Sequence, residues 1–350
     1  MDPTHRPLRP RRRHPRGRPS RPPPPPGPPV TQPWLDHLVR AGFPGAAPLG
    51  AGMEGAVYRL GDGTVAKVWR RRTPAELLLW QAYYTDVAAA GLPFATPEIL
   101  RVDEVDGTAV TIERELPGRP LDEWTAWPGG PDAGAGSEDS ARDRDRPDAD
   151  DGVLGILRAL AGVPGTAAMR ALPVLDEDRP FRRDGEDFPA ALAGLLARRT
   201  ARSGALLRAH VPDFDRRYAA VADRLAALDP GPDTLVHGDL VAPNIHVDDT
   251  GRPVAVLDFG FLSTAGDPRF EAGVTAAILD MYGPDAAAAT ETRTDRYAAR
   301  LGHPAEVLRL YRAAYGIATA DVFSADGSDG HFAWCVRRLT CPEVTAALGL

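Results

Sequence analysis

In the C-terminal half of the chain, TLVHGDLVAPNIHVDDTGRPVAVLDFG places His237, Asp239 and Asn244 in H-x-D-x-x-x-x-N spacing. Asp258-Phe259-Gly260 begins fourteen residues after the asparagine. These residue types suit the transfer of a γ-phosphoryl group. That reaction needs an acceptor hydroxyl held and oriented, and Asp239 can accept its proton as the new bond forms. It also needs divalent cations across the phosphates. Asn244 and Asp258 offer hard oxygen ligands of the kind Mg²⁺ takes. His237 is better suited to orienting the loop than to titrating in the reaction. Each residue alone has an ordinary explanation: Asp239 could cap a turn, and Asp248-Asp249-Thr250-Gly251 reads simply as a hairpin turn. The joint spacing is the signal.

A complementary set lies near the N-terminus. LGAGMEGAVYRLGDGTVAKVW holds Gly50, Gly52 and Gly55 in G-x-G-x-x-G spacing, with Val57 two residues on. A dinucleotide fingerprint of this form must lead into a helix. Here AVYRL and TVAKVW alternate as strands around Gly61-Asp62-Gly63, which is a hairpin. Glycines without β-carbons let backbone N–H groups approach phosphate oxygens closely. Lys67, on the second strand, is the only lysine among the 41 basic residues. Period-two alternation puts it on one face with Val65 and Trp69. A compact ammonium there can reach the α- and β-phosphates, a task for which a planar guanidinium is a poor substitute.

The carboxylate that holds such a lysine is open at this level. Glu76, in the helix that follows, is one choice. Thr73-Pro74-Ala75-Glu76 also fits a capping box, with Thr73 as N-cap and Pro74 at the first helical position. Two further strands, PEILRVDEV and TAVTIEREL, precede the extended LPGRPL. By order along the chain, Glu113, Arg114, Glu115 and Leu116 are the candidates for a hinge whose backbone reads the adenine edge.

The elements that must position these groups form two unequal parts. From about residue 46 the chain reads as strands and turns with one helix, and beyond residue 152 it is mostly helical. The expected class is α+β and bilobal, with a small antiparallel β-rich N-lobe and a larger α-rich C-lobe. The expected divisions are an Arg/Pro-rich tail (1–32), the N-lobe (33–127), an irregular insertion (128–152) and the C-lobe (153–350). The tail carries eight Arg against one Asp and lacks the apolar run of a secretory signal. Without it, 33 basic residues face 47 acidic ones, which argues against nucleic acid as a partner for the folded part. No run approaches the ~18 apolar residues of a membrane span. Cys335 and Cys341 are too few for a disulfide framework and form no zinc-type pair, so reduced thiols and a cytoplasmic location are expected.

On the glycine hairpin, the lone lysine, HGDL at 237–240 and the DFG that follows, the sequence resembles the aminoglycoside phosphotransferase and choline kinase-like family, relatives of the protein kinases. The resemblance spans roughly residues 46–282. It implies a protein-kinase-like fold, Asp239 as catalytic base, Asn244 and Asp258 as magnesium ligands, and Lys67 on the phosphates. Gly266-Asp267-Pro268 is similar to the family's helix start, and Asp267 suits an N-cap with Pro268 behind it. No A-P-E sequence or long activation segment follows, which counts against a protein kinase. Glu271 stands where the family often has Asp. Val241 and Ala242 replace more polar residues, and His246 replaces an aliphatic one.

The reaction expected is Mg²⁺–ATP-dependent phosphorylation of a hydroxyl on a small molecule, an aminoglycoside-like antibiotic or a metabolite, with GTP as the other possible donor. The competing readings are a nucleotide-binding pseudokinase and, behind it, a protein kinase. Asp280, Asp285, Glu291, Asp295 and Asp321 could bind ammonium groups on a cationic acceptor, or could simply be helix faces and caps.

Overall fold

The computed structural model describes residues 32–52, 54–126, 149–282 and 285–350. Nearly all of the expected tail (1–32) and most of the expected insertion (128–152) lie outside the described residues. Helix α1 (Gln32–Arg40) precedes strands β1 (Ala47–Ala51), β2 (Gly55–Arg59) and β3 (Thr64–Trp69). Helix α2 (Pro74–Ala89) and strands β4 (Ile99–Val105) and β5 (Thr108–Arg114) follow. The strands form one antiparallel sheet in the order β1-β2-β3-β5-β4.

Alternation along these strands sorts the two faces. Ala56, Tyr58, Ala66, Val68, Val110 and Ile112 are buried together against Leu38 of α1. Val57, Lys67 and Thr111 belong to the opposite face, and Lys67 lies directly across from Val57 on one side and Thr111 on the other. A one-residue slip in β3 would send Lys67 into the α1 packing and Val68 toward the cleft. The buried register therefore fixes where the ammonium points.

The chain then crosses through β6 (Arg119–Pro120) and α3 (Leu121–Ala126) to α4 (Ala149–Ala161), α5 (Ala167–Ala171), α6 (Phe188–His210) and α7 (Phe214–Ala226). Residues 149–152, expected to be irregular, instead form the first turn of α4. Two acids there suit a helix N-terminus. Asp150 pairs with Arg293 at 3.0 Å and Asp151 with Arg296 at 2.9 Å. Val153, Leu154, Ile156, Leu157 and Leu160 of the same helix are buried, so packing completes what the charges begin. Removing the fully buried Leu154 side chain would cost on the order of 2–5 kcal/mol.

Short strands β7 (Thr234–Val236), β8 (Ile245–Val247), β9 (Pro253–Val256) and β10 (Thr264–Gly266) hold the motif-bearing loops between them. β7 pairs with β10, while β6 pairs with β8 and β8 with β9. Helices α8 (Pro268–Ile278), α9 (Ala286–Leu301), α10 (Ala305–Ala318), α11 (Gly330–Thr340) and α12 (Pro342–Leu348) complete the C-lobe. α8 starts as its sequence predicts. Asp267 is the N-cap and accepts from the Arg269 amide at 2.8 Å, and Pro268 follows. Among the described residues no helix is long and apolar enough to cross a membrane. Both cysteines are free thiols, and burial pushes Cys335 up to about 12.

Candidate functional site

The loop between β7 and β8 is held from behind by buried groups. His237 is fully buried, its Nε2 2.8 Å from the Leu257 carbonyl. Its Nδ1 accepts from the Asp239 amide at 3.2 Å, so the ring proton belongs on Nε2. Burial lowers its pKa to about 4, which keeps the imidazole neutral at physiological pH. The ring packs 4.2 Å from that of Phe259, which is in turn flanked by Tyr83 and Tyr84 of α2. Both ring nitrogens of His237 are thus engaged with backbone groups of the surrounding loops.

Glu271, one turn into α8, reaches the same loop. Its Oε2 accepts the amides of His237 at 2.7 Å and Gly238 at 2.9 Å. Burial raises its carboxyl to about 7 against these hydrogen bonds. Gly238 has φ +75°, and a β-carbon there would sit 2.6 Å from the Leu262 backbone. The position needs glycine twice over, for its left-handed conformation and for the close approach. Asn244 closes the loop by donating Nδ2 to the Asp239 carbonyl at 2.9 Å, which leaves its Oδ1 available as an acceptor. Asp258 follows the Leu257 anchor with φ +53°, an uncommon conformation for a residue with a side chain, and its carboxylate is 65% exposed.

The opposite wall comes from the sheet. Gly52 donates its amide to the Gly55 carbonyl at 2.9 Å, closing the turn between β1 and β2. A β-carbon on Gly55 would lie 2.1 Å from the Val68 carbonyl oxygen. Lys67 lies 3.4 Å from Glu54 and 3.7 Å from Asp258, with its Nζ 4.0 Å from the centre of the Trp69 ring. Burial would lower its pKa, but Asp258 and Glu54 outweigh that and hold it above the ordinary lysine value. The charged ammonium is the favoured form.

Gly52, Gly55, Val57, Lys67, Asp239, Asn244 and Asp258 all line one cleft of about 370 Å³. Gly50, in β1 opposite Val57, and Val65, buried in β3, are adjacent to that lining without belonging to it. Glu76 is not Lys67's partner. It completes the capping box of α2, accepting the Thr73 amide at 2.7 Å, and a local cap two bonds deep outcompetes a distant lysine. Residues 113–116, the hinge candidates, lie at the end of β5. Glu113 and Arg114 still belong to β5, and the Glu115 amide donates to Gly63 at 2.9 Å. Of the four, Glu113 bears most directly on the site: burial raises its carboxyl, while Lys67 acts in the opposite direction.

Sequence reasoning missed Glu54, Arg72, Leu175 and Phe261, all of which line the cleft. Glu54 stands inside the glycine motif and Arg72 ends a run of three arginines, so a carboxylate beside the glycines was the one available hint. Three of the acids considered as ammonium ligands are already paired. Asp321 meets Arg199 at 2.6 Å and Arg202 at 2.5 Å, Glu291 meets Arg312 at 2.6 Å, and Asp295 meets Arg309 at 2.7 Å.

A glycine turn, a charged lysine, and an aspartate–asparagine–aspartate set facing one another across a cleft can grip a polyphosphate and present a base beside it. Comparison with known proteins agrees. The phosphotransferase enzyme family matches residues 45–309. The chain belongs to that family. Among solved structures it is similar to a thermostable aminoglycoside phosphotransferase in complex with ADP and hygromycin B, at 17% identity and TM-score 0.61, covering 90% of this chain and 98% of that one. It is also similar to the macrolide 2′-phosphotransferase of Brachybacterium faecium, at 21% identity and TM-score 0.52, covering 88% and 97%. A third, an aminoglycoside phosphotransferase with GDP and kanamycin, has 14% identity and TM-score 0.53, covering 82% and 90%. These likenesses establish the protein-kinase-like fold. No curated protein matches the chain.

Proposed function

We propose that this phosphotransferase moves the γ-phosphate of ATP to a hydroxyl group of a small molecule. The observation that carries the reading is the meeting of Lys67, Asp239, Asn244 and Asp258 on one cleft beneath a glycine turn. Lys67 holds the phosphate oxygens and the glycine turn approaches them with backbone amides. Asp239 orients the acceptor hydroxyl and takes its proton as the new O–P bond forms and the β–γ bridging bond breaks, releasing ADP. His237 and Glu271 keep the loop in place without touching the reactants.

The donor set also fits Mg²⁺. Asn244 Oδ1 and the Asp258 carboxylate are hard oxygens facing the cleft, and they would hold the ion. When bound, it supplies charge neutralisation to the phosphate oxygens.

The acceptor side of the cleft is lined by Leu175, Val241 and Phe261, with Phe323 stacked on Phe261 at 6.4 Å. With three of the candidate acids occupied by arginines, this wall favours an acceptor that presents an apolar face beside its hydroxyl over one recognised purely as a polycation. The test is ADP release from Mg²⁺–ATP and Mg²⁺–GTP across aminoglycosides, macrolides, amino alcohols and sugars, with Asp239→Asn in parallel. Release that depends on both the acceptor and Asp239 supports the proposal. Nucleotide binding with no release across the panel by either protein would favour a pseudokinase.

A further inference from the structure

Glu54 sits in the glycine turn and holds both cations of the upper cleft wall. Its Oε2 is 3.4 Å from Lys67 Nζ, and its Oε1 is 3.0 Å from Arg72 Nη2. Arg72 is supported from its other side, its guanidinium carbon 5.5 Å from the centre of the buried Trp80 ring. All three charged groups line the cleft that contains Gly52, Gly55 and Asp258. Burial opposes ionisation of Glu54, but Lys67 and then Arg72 prevail and hold its carboxyl below the ordinary range. It is an anion between two cations.

A carboxylate bridging an ammonium and a guanidinium beneath glycine amides presents two oxygens and one negative charge, as a phosphate group does. We propose that Glu54 is an internal stand-in for a nucleotide phosphate, and that its displacement on nucleotide binding frees Arg72 to act with Lys67 as a second cation for the polyphosphate chain. This rests on the nucleotide reading given above. The carboxylate and a triphosphate would place like charges against the same two cations, so both cannot remain there. Glu54 can leave because its side chain is 40% exposed and the neighbouring β1 is exposed along its whole length. Until nucleotide arrives, Glu54 offsets the repulsion between Lys67 and Arg72 and keeps both aimed into the cleft. Trp80 then holds the guanidinium plane in position once the carboxylate has gone.

The experiment is calorimetric binding of AMP, Mg²⁺–ADP and Mg²⁺–ATP to the full chain and to its Glu54→Gln, Arg72→Ala and Arg72→Lys variants, with melting curves taken without nucleotide. Glu54→Gln should bind Mg²⁺–ATP about 5- to 10-fold more tightly than the unmodified chain while melting at a lower temperature when empty. Arg72→Ala should lose about 10-fold or more for Mg²⁺–ATP and little for AMP, and Arg72→Lys should recover part of the loss. Weaker nucleotide binding by Glu54→Gln, or equal losses for AMP and ATP in Arg72→Ala, would show a fixed structural bridge and overturn the inference. Absence of nucleotide binding by the unmodified chain would instead overturn the nucleotide reading itself.

Discussion

The two walls of the cleft are built on different physics. The lower wall, from His237 to Asn244, is held by buried hydrogen bonds: His237 to Leu257, Glu271 to two successive amides, Asn244 to the Asp239 carbonyl. The upper wall pairs an exposed edge strand and a glycine turn with ion pairs among Glu54, Lys67, Arg72 and Asp258. Buried backbone hydrogen bonds specify one geometry and are costly to break. Charge pairs with one partner open to water, as Glu54 and Asp258 are, hold less firmly and can exchange partners. A base must be fixed relative to its acceptor, whereas groups that grip and release a nucleotide must rearrange. The division of materials matches the division of tasks proposed for the two walls.

Five changes would break or sharpen that contrast. The largest effect is expected for Asp239→Asn, which leaves the lower wall standing but removes the proposed base. Turnover should fall about 10³-fold with an unchanged melting temperature. A variant that remained active would remove Asp239 from the chemistry. Next is Gly238→Ala, which forces a β-carbon against Leu262 in a left-handed backbone. It should cost about 2–4 kcal/mol in denaturant unfolding. Its counterpart in the upper wall, Gly52→Ala, has nothing within 4 Å of the added carbon and should stay within about 0.5 kcal/mol. Equal costs at the two glycines would erase the distinction between the walls.

Lys67→Ala should lower turnover about 10²-fold through weaker nucleotide use, with the fold retained. Unchanged nucleotide kinetics would remove Lys67 from the phosphate site. The last test is a slope in pH. An unfolded histidine takes up a proton near pH 6.5, but folded His237 and His331 do so only near 4, so each loses stability as pH falls through that window. Glu271 acts the other way, because its folded carboxyl is raised to about 7 and its contribution diminishes as pH rises from about 4.5. In Glu271→Gln the opposing contribution is gone. Its stability should fall about 1.4 kcal/mol more steeply per pH unit than that of the unmodified chain between pH 6.5 and 4.5. Identical slopes would mean that Glu271 is not buried as an acid.

The lower wall was legible from the sequence because its groups lie within a few residues of one another and the chain has few ways to arrange them. Asp239, Asn244 and Asp258 meet as their spacing predicts, and so does Lys67, whose strand alternation is local. The bilobal α+β architecture was legible for the same reason. The errors were tertiary. Glu76 had a partner three residues away, and that local cap won over a lysine on another element. Asp321, left open between an ammonium ligand and a helix face or cap, is paired with Arg199 across 122 positions. Glu54 and Arg72 are 18 residues apart, and nothing in either position announces the other. The strand read through residue 116 ends at Arg114, because sheet pairing, not composition, sets where β5 ends.

The single lysine also has a consequence for chemical labelling. An acylating reagent needs a neutral amine, and the only side-chain amine in this chain is kept protonated between two carboxylates. The arginines that occupy every other basic position outside histidine do not react in its place. The side chains are therefore resistant to amine-directed reagents while Glu54 and Asp258 stay in contact with Lys67. Any amide that does form on a side-chain amine reports from one known atom, Lys67 Nζ, on the wall of the cleft.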